Sequence, residues 1–187
     1  MLHYAPKVGD TPDFQEGSGM FKFRHLQFDP PFGSLDYLAS IKHCVKQGAR
    51  VIIVDSLSHE HEGPGGYLLT HDAEMEKYGN DQKQTFRCWI KPAAMRRQMI
   101  NGLLQLNANF IFCFRAKEKI KPIPGKEPVQ LGFMPIAGEE MLFEQTVNCL
   151  LLPKSGGVPT WQSEQVGERM MMKLPVQFEN IFKKEQP

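Results

Sequence analysis

Apolar and polar residues recur along the first two thirds of the chain with the periods of strands and helices. Residues 21–28 alternate between apolar and polar side chains, which predicts a strand. Helical spacing of apolar residues then predicts a helix that Ser34 caps and Gly48 ends. The apolar run at residues 50–55 predicts a buried strand. Together these segments predict a strand, helix, strand unit of the parallel kind.

The same periodicity continues as far as residue 114. A polar helical stretch follows the glycine-rich residues 63–66, and a second helix is predicted from about Pro92, since proline suits the first turn of a helix. The predicted buried face of this helix consists of Met95, Met99, Leu103 and Leu106. Residues 109–114 form an apolar run that predicts another buried strand. Weaker patterns predict a hairpin or long loop at 122–135, a strand at 145–152 and a terminal hairpin at 158–174.

These elements predict an α/β fold in one domain. The chain shows no internal repeat, and its glycines and prolines are scattered as turns rather than pooled into a linker. We therefore expect a single domain over residues 1–187, with an irregular segment at 1–20, a core at 21–152, and a terminal hairpin and tail at 153–187.

Composition narrows the class of protein. A length of 187 residues suits one domain with a sizeable core, and a net charge of +1 argues against a strongly electrostatic nucleic-acid binder at the level of the whole chain. The four cysteines are widely spaced and contain no Cys-x-x-Cys pair, which is typical of reduced thiols in the cytosol. No apolar stretch is long enough to span a membrane. The sequence therefore predicts a soluble cytoplasmic protein that does not interact with membranes.

The strand at residues 50–55 ends in a carboxylate followed by a hydroxyl, Asp55 and Ser56, which has the form of a Walker B element. In nucleotide hydrolases this aspartate accepts hydrogen bonds from Mg²⁺-bound water, and a second carboxylate, here Glu60, can orient the attacking water. A buried strand whose terminal aspartate only caps a loop would show the same pattern. A phosphate loop of the form Gly-x-x-x-x-Gly-Lys-Ser/Thr is absent from the sequence, and the only Gly-Lys pair, Gly125-Lys126, lies among prolines and predicts a turn.

Basic residues follow the next predicted strand. Arg115 and Lys117 stand where ligands bind in open α/β sheets, so they could contact the terminal phosphate of a nucleotide in their own or a neighbouring subunit. They also belong to a basic stretch that could be a solvated face or could contact a nucleic-acid backbone. That stretch comprises Arg115, Lys117, Lys119, Lys121 and Lys126.

A metal-dependent hydrolase is a separate hypothesis. A strand ends at Asp55, and His59, His61 and Glu62 follow just after it, with His71 and Asp72 further on. Imidazoles and carboxylates suit Zn²⁺ or Mn²⁺, so these residues could form a metal site. Two histidines on a loop are more often hydrogen-bonded or exposed than metal-bound.

Several segments together resemble a known family. They are Asp-Pro-Pro-Phe at 29–32, the run from Val51 to Glu60, the glycines at 63, 65 and 66, Trp89 with Pro92, and Phe-Cys-Phe-Arg-Ala-Lys-Glu-Lys at 112–119. In these segments the chain resembles the phage and prophage AAA-type ATPases with a RecA-like core, which are often described as phage nucleotide-binding or single-strand-annealing-type recombination proteins. The resemblance covers roughly residues 20–150.

The resemblance implies a RecA-like P-loop ATPase core with a mainly parallel sheet and a role in DNA recombination or annealing. Asp55 matches the Walker B aspartate, which would hold Mg²⁺ through water beside bound ATP, with Ser56 next to it. Ser58, His59 and Glu60 match the active-site loop of the family. Arg115 and Lys117 match its basic strand end. A homo-oligomer or a protein partner, and single-stranded DNA, are the implied partners.

Two departures from the family change the expected function. His61 stands where the family often has an aromatic residue. The first strand, the phosphate loop, the first helix and the second strand of the family are absent. Leu2-His-Tyr-Ala is similar to the segment that follows the second strand in the family. We therefore expect this chain alone to lack the affinity for ATP that a phosphate loop provides. A fragment of a longer ATPase, a remnant of a rearranged prophage gene, and a nucleotide-independent protein-binding module or inhibitor of a host complex all remain open.

Overall fold

The computed structural model of the chain describes residues 2–5, 23–123 and 125–160. It divides into two compact units, Met1–Arg115 and Ala116–Pro187. Both units contain strands and helix, which confirms the α/β class. The boundary between the units falls inside the stretch 21–152 that the sequence analysis treated as one core.

The first unit contains a four-stranded sheet and most of the helices. In chain order its elements are β1 (Leu2–Ala5), β2 (Arg24–Leu26), α1 (Ser34–Lys46), β3 (Val51–Asp55), α2 (Ser58–Glu62), α3 (Tyr67–Lys77), a 3-10 turn (Gln82–Gln84), α4 (Thr85–Cys88), α5 (Ile90–Leu104) and β4 (Asn109–Cys113). The helices predicted after residue 66 and near Pro92 are thus confirmed, and the second begins two residues earlier than expected.

The sheet has the order β2-β1-β3-β4 and is mixed rather than mainly parallel. β1 is antiparallel to both of its neighbours, whereas β3 and β4 are parallel, from Val51 opposite Asn109 to Asp55 opposite Cys113. β2 and β3 therefore run in the same direction, as predicted, but β1 lies between them. The expectation that residues 1–20 are irregular was wrong for Leu2–Ala5, a strand whose residues do not alternate strictly between apolar and polar.

Helix α1 begins differently from the prediction. Gly33 occupies the cap position in an extended conformation, and Ser34 is the first helical residue. The Ser34 hydroxyl does not cap the helix but donates a hydrogen bond to the carboxylate of Glu60. The predicted end is confirmed, since Gly48 follows the helix with φ 89°, in the left-handed region that favours glycine.

The core of the first unit lies between the sheet and the packed helices α1 and α5. Tyr37, Ile41, Ile52 and Met99 are at most 1% exposed. Of the predicted face of α5, Met99 and Leu103 are buried, Met95 is half-buried and Leu106 lies beyond the helix. Strand β4 was predicted to be buried, but it is the last strand of this sheet within the described residues and Ile111 is 51% exposed.

The second unit contains a hairpin of β5 (Ala116–Ile123) and β6 (Lys126–Pro135), then α6 (Glu139–Glu144), and a short pair of β7 (Leu150–Leu151) with β8 (Pro159–Thr160). Of the hairpin or long loop predicted at 122–135, the structure has the hairpin, although its first strand begins earlier. Gly125 turns between its strands with φ 75°. The predicted strand at 145–152 shortens to two residues, and the part of the predicted terminal hairpin after residue 160 lies outside the described residues.

Candidate functional site

The carboxyl ends of the two parallel strands bring together the residues that the sequence singled out. Asp55 is the last residue of β3, is exposed, and is joined to Ser56 by a cis peptide bond. It lies opposite Cys113, the last residue of β4, and the Cys113 carbonyl accepts a 3.0 Å hydrogen bond from the Leu57 N–H. Arg115 follows Cys113 by two residues. Asp55 and Arg115 therefore lie at the same edge of the sheet, where α/β proteins bind ligands.

Helix α2 begins directly after this edge and is attached to Arg115 by two hydrogen bonds. The Arg115 backbone N–H donates to the Ser58 hydroxyl over 2.9 Å. The Arg115 Nη2 donates to Glu62 Oε1 over 2.8 Å. Ser58 is fully buried, whereas the side chains of Arg115 and Glu62 are 51% and 33% exposed. The backbone of Arg115 is thus fixed at the site while its guanidinium reaches solvent.

The loop between Asp55 and α2 is held from inside the unit. Ser56 is 6% exposed, and its hydroxyl lies 3.2 Å from Nδ1 of His59. The Tyr37 hydroxyl donates a 3.0 Å hydrogen bond to the Ser56 carbonyl. The half-buried His59 ring lies 5.0 Å from the Phe32 ring, centroid to centroid. Side chains from two other segments thus fix the backbone that follows Asp55.

Burial raises the pKa of the Tyr37 phenol far above its ordinary value of 10.0, and the nearby charge of Glu60 raises it further. The folded chain therefore holds this proton more tightly than the unfolded chain. The resulting stability is fully present below pH 10.0 and falls as the pH rises beyond it, because the unfolded chain loses the proton first.

We expect Tyr37→Phe to lower the free energy of unfolding by about 0.5–1.5 kcal/mol near pH 7, because the hydrogen bond to the Ser56 carbonyl is lost. As the pH rises above about 10, the difference from wild type should shrink and then change sign, since phenylalanine has no proton to lose. Urea unfolding of both proteins over this pH range measures the difference. A gap that stays constant with pH would contradict the prediction.

Glu60 was predicted to orient an attacking water, but the structure places its carboxylate inside the unit. Glu60 is 2% exposed and forms a two-point ion pair with Arg96, with Nε to Oε1 at 3.2 Å and Nη2 to Oε2 at 2.9 Å. Oε1 also accepts the hydrogen bond from Ser34. This carboxylate therefore links α2 to α1 and α5 and does not face the solvent side of Asp55.

Arg96 is the residue that sequence reasoning missed. It is 2% exposed, and its Cζ lies 3.4 Å from the centroid of the Tyr67 ring. Its Nη2 lies 3.0 Å from Nδ1 of His61. Trp89 extends the stack, at 5.3 Å from Tyr67 and 3.7 Å from His71 between ring centroids. The buried guanidinium thus lies over the half-buried Tyr67 ring, which stacks in turn on Trp89.

The remaining predicted residues have neighbours of their own. Lys117 lies on β5 in the second unit, opposite Met134. The imidazoles of His59 and His61 are directed at Ser56 and Arg96 respectively, and no group of three His, Cys, Asp or Glu within the described ranges could hold a metal ion. The structure does not assemble the predicted hydrolase metal site, because each histidine has a different neighbour.

Comparisons with known proteins give no family for this chain. No family model, curated protein or solved structure matches it. The resemblance drawn from the sequence motifs therefore stands as a hypothesis. Of the helices in the part of the chain that the structure describes, none is long and apolar enough to cross a membrane.

Proposed function

We propose that the first unit carries the magnesium side of a nucleotide site in a RecA-like ATPase that acts in DNA recombination or annealing. One observation carries the proposal: the exposed Asp55 ends an apolar strand whose parallel neighbour leads to Arg115 at the same edge of the sheet. A fixed loop and a short helix then hold the two residues in place. This combination supports a site for an anionic ligand with a bound cation.

The donor set at this edge fits Mg²⁺ and ATP. A carboxylate suits Mg²⁺, which keeps several of its waters in protein sites, and a guanidinium suits phosphate oxygens. Asp55 would accept hydrogen bonds from the water around the ion, and Arg115 would donate to the phosphate. Bound MgATP would supply the phosphoryl group, with the ion neutralising charge on its oxygens. His59 and Ser56 would hold the backbone next to Asp55.

The partners follow from what the sequence contains. It has no phosphate loop, so the phosphate loop of a complete site would come from outside these 187 residues, as from another protein. We include a protein partner in the proposal for this reason, and a homo-oligomer because the family resemblance implies one. Single-stranded DNA enters through the family resemblance alone.

The test is a nuclear magnetic resonance titration of the chain with ATP, with Mg²⁺ and without it. We expect weak binding, on the order of millimolar, with shifts centred on Asp55, Ser58 and Arg115, and local broadening when Mn²⁺ replaces Mg²⁺. Asp55→Asn should weaken the Mg²⁺-dependent binding of ATP by about 10- to 100-fold. Turnover should fall in parallel in any form that carries a phosphate loop.

Asp81→Asn is the matched control. Asp81 is also exposed, and it caps a 3-10 turn by accepting a hydrogen bond from the Lys83 N–H, which asparagine can also do. The Asp81→Asn variant should show the same signal shifts as wild type when ATP and Mg²⁺ are added. Absence of metal-dependent shifts, or shifts that survive Asp55→Asn, would refute the proposal. A nucleotide-independent protein-binding module would then be favoured, with the 90% exposed Phe86 and the 67% exposed Ile90 as the first contact surface to examine.

A further inference from the structure

Two glutamates of helix α2, Glu60 and Glu62, each form an ion pair with an arginine from another segment. One pair is buried and the other is exposed to solvent. Glu60 points inward to Arg96, and both side chains of this pair are 3% exposed. Glu62 points outward to Arg115, and the side chains of this pair are 33% and 51% exposed. The inner pair is enclosed by protein on all sides, whereas the outer pair is open to solvent and to solutes.

The outer pair can exchange partners without moving the backbone. The Arg115 N–H is held by the buried hydroxyl of Ser58 at 2.9 Å, so the start of its side chain is fixed. One 2.8 Å hydrogen bond joins its guanidinium to Glu62. Exposed ion pairs are weak, and a phosphate group accepts two parallel hydrogen bonds from a guanidinium. A phosphate at this edge would therefore compete directly with the Glu62 carboxylate for Arg115.

We propose that Glu62 competes with phosphate for the Arg115 guanidinium and so sets the affinity of this edge for a triphosphate ligand. The inference rests on the proposed function for the choice of triphosphate as the ligand. Without phosphate, Glu62 neutralises Arg115 and holds it against α2. With phosphate, the guanidinium leaves Glu62, and the freed carboxylate repels the ligand, which weakens its binding.

The test measures the affinity of wild type and of variants at positions 62 and 115 for inorganic tripolyphosphate by following the backbone N–H signals of Ser58 and of residue 115, which every variant retains. We expect Glu62→Gln to bind about two- to five-fold more tightly than wild type, because a neutral amide competes less well for the guanidinium. Arg115→Gln should lose the binding. The double variant Glu62→Gln/Arg115→Gln should behave like Arg115→Gln, since Glu62 acts only through Arg115.

Glu74→Gln is the control for net charge. Glu74 is a carboxylate on α3 that pairs with Lys77 and Lys91, so its replacement removes one negative charge without touching Arg115. It should leave tripolyphosphate affinity unchanged. Equal gains from Glu62→Gln and Glu74→Gln, or no gain from Glu62→Gln, would overturn the inference.

The two proposals fail separately. Suppose that the metal-dependent signal shifts on ATP addition require Asp55 but do not change with Glu62→Gln. This result would refute only the proposed competition between Glu62 and phosphate. Alternatively, tripolyphosphate binding could depend on Glu62 and Arg115 while the signal shifts on ATP addition do not change with Asp55→Asn. This result would refute only the proposed nucleotide site. A wild-type chain that binds neither tripolyphosphate nor MgATP would refute both.

Discussion

Replacing Arg96 with methionine should lower the free energy of unfolding by about 3–5 kcal/mol. The substitution leaves the Glu60 carboxylate 2% exposed and without the two hydrogen bonds of the guanidinium. A buried charge that loses its partner keeps its full desolvation penalty. The contact of the guanidinium with the Tyr67 ring, at 3.4 Å, is lost as well.

Urea or thermal unfolding of the 187-residue chain measures this effect, and Arg97→Met is the matched control. Arg97 is the next residue of α5 and is exposed, so the same substitution there should change stability by about 0.5 kcal/mol or less. The double variant Glu60→Met/Arg96→Met should recover part of the loss, since a buried ion pair can often be replaced by apolar side chains at little cost. Equal effects at positions 96 and 97 would contradict the structure of this pair.

The position of Arg96 on α5 could be predicted from the sequence, but its ion pair with Glu60 could not. It lies three and seven residues before Met99 and Leu103, the two fully buried members of the predicted α5 face. Its position therefore fits the helical periodicity of the buried face, but a pattern of apolar residues does not single out an arginine. Its partner Glu60 lies 36 residues earlier, and nothing local in the sequence joins the two.

The position of Asp55 could be predicted because the signal is local. An apolar strand followed by a carboxylate predicts both the strand and its carboxyl end, and the structure has the strand at Val51–Asp55, one residue shorter than the predicted 50–55. The neighbours of that strand depend on contacts between distant segments. The antiparallel β1 between β2 and β3, and the exposed face of β4, were not predictable from the periodicity of any single segment.

The structure explains why glycines follow α2, which the sequence alone did not. In the resemblance they appeared as part of a motif beside a nucleotide site. In the structure, Gly66 caps α3 and lies against the backbone of α2. Gly65 has φ +74°, and a β carbon there would lie 2.5 Å from Pro31 Cβ. These glycines let the loop after α2 approach the backbone of α2 and Pro31 closely.

We expect Gly66→Ala to destabilise the chain by about 1–3 kcal/mol, as overpacking does in tightly packed interiors. A β carbon at position 66 would lie 2.6 Å from the Glu60 carbonyl oxygen, 2.7 Å from that of His59 and 2.9 Å from that of Gly63. All three atoms belong to the backbone, so relief requires α2 to shift. Because α2 holds Arg115, the variant should also weaken tripolyphosphate binding.

Gly33→Ala separates this packing effect from the general cost of replacing a helix-capping glycine. Gly33 caps α1 in an extended conformation with φ −69°, close to the φ −74° of Gly66. A β carbon at position 33 would lie 2.6 Å from the end of the Asp36 side chain, which can rotate away, and 3.6 Å from the Gly65 carbonyl oxygen, which is an ordinary van der Waals contact. We therefore expect a loss of less than about 1 kcal/mol from the poorer cap. Equal losses at the two glycines would mean that helix capping, and not the close approach of α2 and the loop, accounts for Gly66.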